Sequence, residues 1–322
     1  MDRFTIIALV ILSLLLISLI LGFYYSKSII AKNPFLDRNL LARGMEKPVI
    51  WLYYDHSDVN SRSWADFGSR SSRALNTPFL NLCYETIVAQ NPDYRVEVIH
   101  GLTGVTELLG GPGAIPSRLR NPIASVNEAE VTWIRAAILA KYGGLWLTPY
   151  CICLRSFGKL PEDKIRFYGT DIQETYSGSS GTSVPGFNCI WSPQPAHPMF
   201  VEWEQIAHTR LETQKGGLQI RRDANWDWVA LSAKHSGIEI DVHGECSRKK
   251  GGKRIELEDL LATGHEGKLP FDVPNYANYV PIGWPELRDR EMFGWFLRMN
   301  EAQIMQSDTS VRYLLEMGLQ LG

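Results

Sequence analysis

The sequence predicts an α/β fold, a mostly parallel sheet flanked by helices, behind an N-terminal transmembrane helix. Three observations point there. Residues 48–99 read as strand, helix and strand, the order of a parallel βαβ unit. A second helix leads through Gly143-Gly144 into a buried strand. Residues 4–25 carry no charge, and about 20 apolar residues span a bilayer as a helix.

The elements follow in order. Ile, Leu and Val dominate residues 4–25, and Phe23, Tyr24 and Tyr25 form an aromatic edge. A cleaved signal peptide has a shorter apolar core and small residues before its cleavage site, so residues 1–26 read as an uncleaved anchor contacting membrane lipid. Arg3, offset by Asp2, nearly balances Lys27 and Lys32, which leans slightly toward a cytosolic domain. The lack of a glycosylation sequon leans the same way. Residues 27–47 form a polar linker.

Residues 48–55 are a buried strand ending in Asp55, followed by a Ser, Asp and Arg-rich loop over 56–76. Thr77-Pro78 starts a helix carrying Phe79, Leu82, Cys83 and Ile87 inward. Residues 95–99 are the next strand. A short helix covers 105–109, and the Gly-Gly-Pro-Gly stretch after it is a loop, since no Lys-Ser/Thr follows to make a phosphate cradle. Val131, Ile134, Ile138 and Leu139 fall at helical spacing. After the glycine pair, Leu145-Trp146-Leu147 begins a strand that breaks at Thr148-Pro149 and resumes through 151–154. Ligands of open α/β sheets sit at such strand ends. A strand over 164–169, a Ser/Gly-rich segment over 176–185 and a helix over 199–213 come next. Asp223 opens a further helix, 244–254 is a basic loop, and 291–321 is an amphipathic helical tail.

Composition narrows the function. A net charge of −2 gives no reason to expect a nucleic-acid partner. Ten Trp and thirteen Tyr suit either a large core or stacking on sugar rings. The five cysteines are odd in number, and no His or Cys beside Cys151 and Cys153 completes a metal set. Scattered acids could pair across a hydrolase cleft, but no spacing pins such a pair.

Arg135, Leu139, Tyr142-Gly143-Gly144 and Trp146 are in step with a known signature. From about residue 48 onward the chain resembles the capsular-polysaccharide-synthesis glycosyltransferases and the related fungal mannosyltransferases, whose sugar-binding region contains Asp-x-Asp. The resemblance implies a GT-A-type nucleotide-sugar-binding domain over 48–322, with a UDP- or GDP-linked donor sugar and a glycan acceptor. A eukaryotic secretory relative would face the Golgi or ER lumen rather than the cytosol, and the side stays open. The family's acids are replaced: its helix Asp falls on Thr132, and its Asp-x-Asp falls on Thr148-Pro149-Tyr150. A hard cation such as Mn²⁺ or Mg²⁺ wants carboxylate oxygens, so no metal ligand is assigned and either ion fits only if a site is rebuilt elsewhere.

The resemblance assigns donor binding to Tyr54, Asp55, Arg135, Tyr142, Gly143, Gly144, Trp146, Thr148 and Tyr150. Asn188, His197 and Trp226 are candidates for the acceptor, and Asp171, Asp223 and Asp227 for the missing catalytic acid. Arg248, Lys249, Lys250, Lys253 and Arg254 could neutralise a departing diphosphate or lie on an anionic membrane. Two readings remain: transfer without the family's metal site, or a catalytically inactive domain with a binding or structural role at a membrane.

Overall fold

β1 (Val49–Tyr54) is an unbroken apolar run, as a strand covered on both faces requires. The computed structural model describes residues 47–55, 78–120, 126–171, 184–213, 223–250, 252–264 and 268–320, without the side chains of residues 171 and 223–226. The expected anchor, most of the linker, and the loops over 56–76 and 176–183 lie outside the described residues. Among the described residues no helix is long and apolar enough to cross a membrane.

In chain order the sheet strands after β1 are β2 (Arg95–His100), β3 (Gly144–Leu147), β5 (Ile165–Tyr168), β6 (Cys189–Ser192) and β7 (Ile238–Asp241). They lie side by side as β2-β1-β3-β6-β5-β7. β1 pairs parallel with β2 and β3, and β5 pairs parallel with β7. β6 alone runs against its two neighbours. The fold is therefore α/β with a mostly parallel central sheet between helices.

Both faces are covered. Ile50, Leu52 and Tyr54 enter a core with Phe79, Leu82 and Ile87 of α1 (Pro78–Gln90) and with Leu314 of the last helix (Ser310–Leu319). Gln90 Nε2 donates to Gly318 O at 2.6 Å and ties those two helices together. Trp51 and Tyr53 alternate to the other face. There they meet Tyr142 and Trp146 at ring distances of 5.4 and 6.4 Å, beside α3 (Glu128–Tyr142) and α4 (Pro198–Thr213). Between α1 and α3 in sequence, α2 (Gly101–Leu109) follows β2 directly.

α3 begins three residues before the apolar spacing indicates. Asn127 Oδ1 accepts from Glu130 N at 3.1 Å, and Glu130 Oε2 accepts from Asn127 N at 2.8 Å, a reciprocal cap. Its other end stops at Gly143, φ +65°, followed by Gly144, φ +92°. Trp51 Nε1 donates to Gly143 O at 2.8 Å.

One expectation is corrected. The strand after Thr148-Pro149 does not prolong β3: β4 (Cys151–Cys153) leaves the sheet and pairs antiparallel with β8 (Tyr279–Pro281). Proline lacks the N–H a ladder needs, so the chain turns there. The tail is helical, in short pieces. It breaks into two 3₁₀ turns and two short helices, with Asn300 and Thr309 capping the helices and so restarting the chain direction.

A Cβ on Gly144 would lie 2.8 Å from Val49 O, in a backbone conformation that only glycine adopts freely. Gly144→Ala is expected to cost about 2–4 kcal/mol of stability. Gly113→Ala, with nothing within 4 Å of its Cβ, should be close to neutral. Urea unfolding midpoints of the two variants check the difference.

Candidate functional site

The carboxyl ends of β1 and β3 open into a cleft of about 900 Å³. Asp55 stands at the end of β1, and its Oδ2 accepts from Val126 N at 3.0 Å, which fixes the entry to α3. Arg135 and Glu128 reach the cleft from α3, and Trp146, Thr148, Pro149 and Tyr150 from β3 and the turn after it. Asn188, Arg248 and Arg254 complete the expected residues that the structure brings together here.

Tyr150 is held by residues the sequence did not single out. Its ring stacks on Trp284 at 4.8 Å and 4°, and its carbonyl accepts from Ile282 N at 2.8 Å. Trp284 opens a short helix, Trp284–Asp289, whose Pro285 sits at the first turn. An aromatic stack thus fills the turn after β3. The residues present do not fit a divalent metal: Thr148, Pro149 and Tyr150 offer no carboxylate, and among the described residues no group of three His, Cys, Asp or Glu converges.

Glu245 is another lining residue that sequence reading missed. It is half-buried, and its Oε2 accepts from Tyr279 Oη at 2.7 Å and from Asn188 Nδ2 at 3.4 Å. It faces Gly169 and Gly186, whose missing side chains leave it room. Only the two glycines signalled it, and they look like ordinary turn residues.

Arg135 is 4% exposed. Its guanidinium lies 5.6 Å from the Trp146 ring centre and 5.9 Å from that of Phe187. Nη2 donates to Glu128 Oε1 at 3.3 Å, while Nε and Nη1 have no partner. Burial, only partly offset by Glu128, pulls its pKa below the usual guanidinium value. Thr132, one turn earlier on α3, is buried with its hydroxyl also unpartnered.

Other expected residues lie elsewhere. Gly143 and Gly144 sit at the opposite end of β3, and Tyr142 there donates to Leu108 O at 2.5 Å. The Tyr54 ring turns away into the core, edge-on to Tyr150, and burial drives its pKa well up. Asp227 is 3% exposed and locked by Arg210, Nη1 to Oδ2 2.9 Å, and by Trp203 Nε1 at 3.2 Å. That pairing holds α5 (Asp223–Lys234) against α4. His197 caps α4, its Nδ1 accepting from Met199 N at 3.3 Å. The side chains of Asp171, Asp223 and Trp226 lie outside the described residues.

The basic loop is a hairpin, bridged between Arg248 and Arg254 and closed by Lys249 N to Lys253 O at 2.8 Å. Lys249 pairs with Asp259 at 2.6 Å and Lys250 with Asp272 at 2.8 Å. Of the five cations, the two arginines line the cleft and Lys253 is exposed away from it. All five cysteines are buried and unpaired. Burial pushes the Cys83 and Cys153 thiols up to about 12, so they stay protonated at neutral pH rather than serving as thiolate ligands.

No protein-family model matches the chain, and no curated protein matches its sequence.

Two predictions follow from these placements. Thr132→Val removes a buried hydroxyl that bonds nothing and keeps the shape, so it should stabilise by about 1 kcal/mol in urea unfolding. Burial and nearby His235 lower the His197 pKa. A folded-state pKa below the unfolded value of 6.5 means stability is present above 6.5 and lost as pH falls through the folded value. His197→Asn keeps a cap without that titration. Wild type should therefore lose stability relative to the variant between about pH 7.5 and pH 5, read as the difference in Tm.

Proposed function

We propose that the domain over 48–322 binds a nucleotide-diphosphate sugar in a GT-A-type site and transfers the sugar to a glycan acceptor without the family's Asp-x-Asp metal. The observation that carries the reading is the cleft itself. It lies at the carboxyl ends of β1 and β3, where α/β sheets take their ligands, and a buried guanidinium and aromatic rings line it. The spacing of Arg135, Tyr142-Gly143-Gly144 and Trp146 supplies the resemblance; the cleft supplies a volume suited to a nucleotide sugar.

Each chemical task has a residue present. Tyr150, backed by the buried Trp284, gives a flat apolar surface for a base or a sugar ring. Arg248 and Arg254 place two guanidinium groups at the rim, and positive charge there lowers the barrier as the diphosphate leaves. Glu245 with Asn188 offers a carboxylate and an amide for sugar hydroxyls, and the carboxylate can accept the proton of an attacking hydroxyl. No step in this scheme uses a metal.

A second reading has its own support. Acids are absent at Thr132, Thr148 and Tyr150, and Tyr150 is built into an aromatic stack, which favours a domain that binds its ligand without turning it over. Anchorage through residues 4–25 belongs to both readings.

Thermal shift with UDP and GDP, with and without Mn²⁺, tests binding. The expected result is stabilisation of the chain by one of the nucleotides, equal with and without the ion, and at least halved by Trp284→Ala. No shift with either nucleotide refutes the reading. Release of free nucleotide from a bound donor sugar then separates transfer from binding alone.

A further inference from the structure

Arg135 carries a charge for which the protein supplies little compensation. Among the described residues its one carboxylate partner is Glu128, which is 60% exposed, so solvent screens that pair. Nε and Nη1 bond nothing and are shut off from solvent. Trp146 and Phe187 attract the cation through their rings but do not satisfy in-plane N–H groups. An unmatched buried cation is costly, and it persists where something else supplies the anion.

The other cations of the cleft are placed differently. Arg254 is exposed, Arg248 is half-buried on its hairpin, and Arg288 pairs with Asp289 at 2.8 Å. These can meet a diphosphate, whose charge exceeds one. Arg135 is single, enclosed, and suited to one negative charge.

We propose that Arg135 receives a carboxylate carried by the ligand, so that the cleft selects an acidic sugar, a uronate, over its neutral counterpart. The proposal rests on the nucleotide-sugar reading and names the donor class. Glu128 also lines the cleft, so an arriving carboxylate can take its place on Nη2 while the guanidinium tilts to use Nε. Neutral hydroxyls in that place leave the cation uncompensated.

The test compares binding of UDP-glucose with UDP-glucuronate, and GDP-mannose with GDP-mannuronate, to the full chain by calorimetry. UDP, GDP and free glucuronate are added as separate arms. The uronate form of one pair should bind at least about tenfold more tightly than its neutral partner. Arg135→Met should abolish the preference, read as the ratio of uronate to neutral-sugar affinity within that variant. Because loss of Arg135 can disturb folding, Thr132→Asp is the second variant. It sets a carboxylate three residues from Arg135 on the same helix face and should remove the preference while the fold stays intact. Equal affinities in wild type, a preference surviving in both variants, or an equal loss of UDP or GDP binding in Arg135→Met overturns the proposal. The last outcome assigns Arg135 to the diphosphate instead. If no nucleotide binds, the nucleotide-sugar reading fails and free glucuronate decides alone. Binding that Thr132→Asp abolishes keeps the carboxylate site; no binding removes it.

Discussion

The close approach at Gly143-Gly144 is the constraint from which the cleft is built. A side chain on either residue would collide with backbone, Gln194 at one and Val49 at the other, each at 2.8 Å. The bare glycines let the end of α3 touch β1, and the Trp51–Gly143 hydrogen bond locks that contact. β3 then starts in register with β1, Ile50 opposite Leu145. Fifteen helical residues span about 22 Å, so the same contact fixes where the far end of α3 stands. That far end, with Asn127 and Glu128, forms one wall of the cleft. The glycines thus act on the site at a distance, by setting a rigid helix rather than by touching a ligand.

The opposite wall comes from the distal part of the chain. β8 carries Pro281 and Ile282 to the turn at Thr148–Tyr150 by pairing with β4, and Trp284 follows. That pairing exists because the chain leaves the central sheet at Pro149. The break that ends β3 therefore also recruits the tail that stacks on Tyr150. In a site organised around a metal, this turn would present charge to solvent. Here it presents an aromatic face packed against another, and the cations sit elsewhere.

Much of the sheet was legible because its signals are local. Apolar runs at 49–54 and 145–147, Pro78 at a helix start and the glycine pair each act within a few residues. The site was legible only where it coincides with those elements, as for Asp55, Arg135, Trp146 and the Thr148–Tyr150 turn. Glu245 and Trp284 were not, because they are brought in by β8 pairing more than a hundred residues from β4. Asp227 misled for the opposite reason. An acid near a helix start beside tryptophans looks like a sugar platform, yet its charge is consumed by Arg210 from the neighbouring helix, a partner no local pattern reveals. The lysines of the basic loop are similar, since Asp259 and Asp272 meet two of them from outside the loop.

Thr132 and Arg135 show how the residue one turn away bears on a buried cation. Residues three apart on a helix share a face, so a carboxylate at 132 would stand beside the guanidinium and close an ion pair within α3. Threonine leaves a hydroxyl with nothing to bond and a cation with two idle donors, both enclosed. For the fold alone an apolar residue at 135 would be the cheaper course, because replacing a buried charge with a well-packed hydrophobe is often neutral or stabilising. The sequence instead carries a guanidinium there, flanked by Trp146 and Phe187, in the wall of the cleft beside Glu128. A buried cation whose one carboxylate partner is solvent-screened and whose Nε and Nη1 bond nothing is an expense that the fold alone does not explain, and a ligand that brings a second anion would.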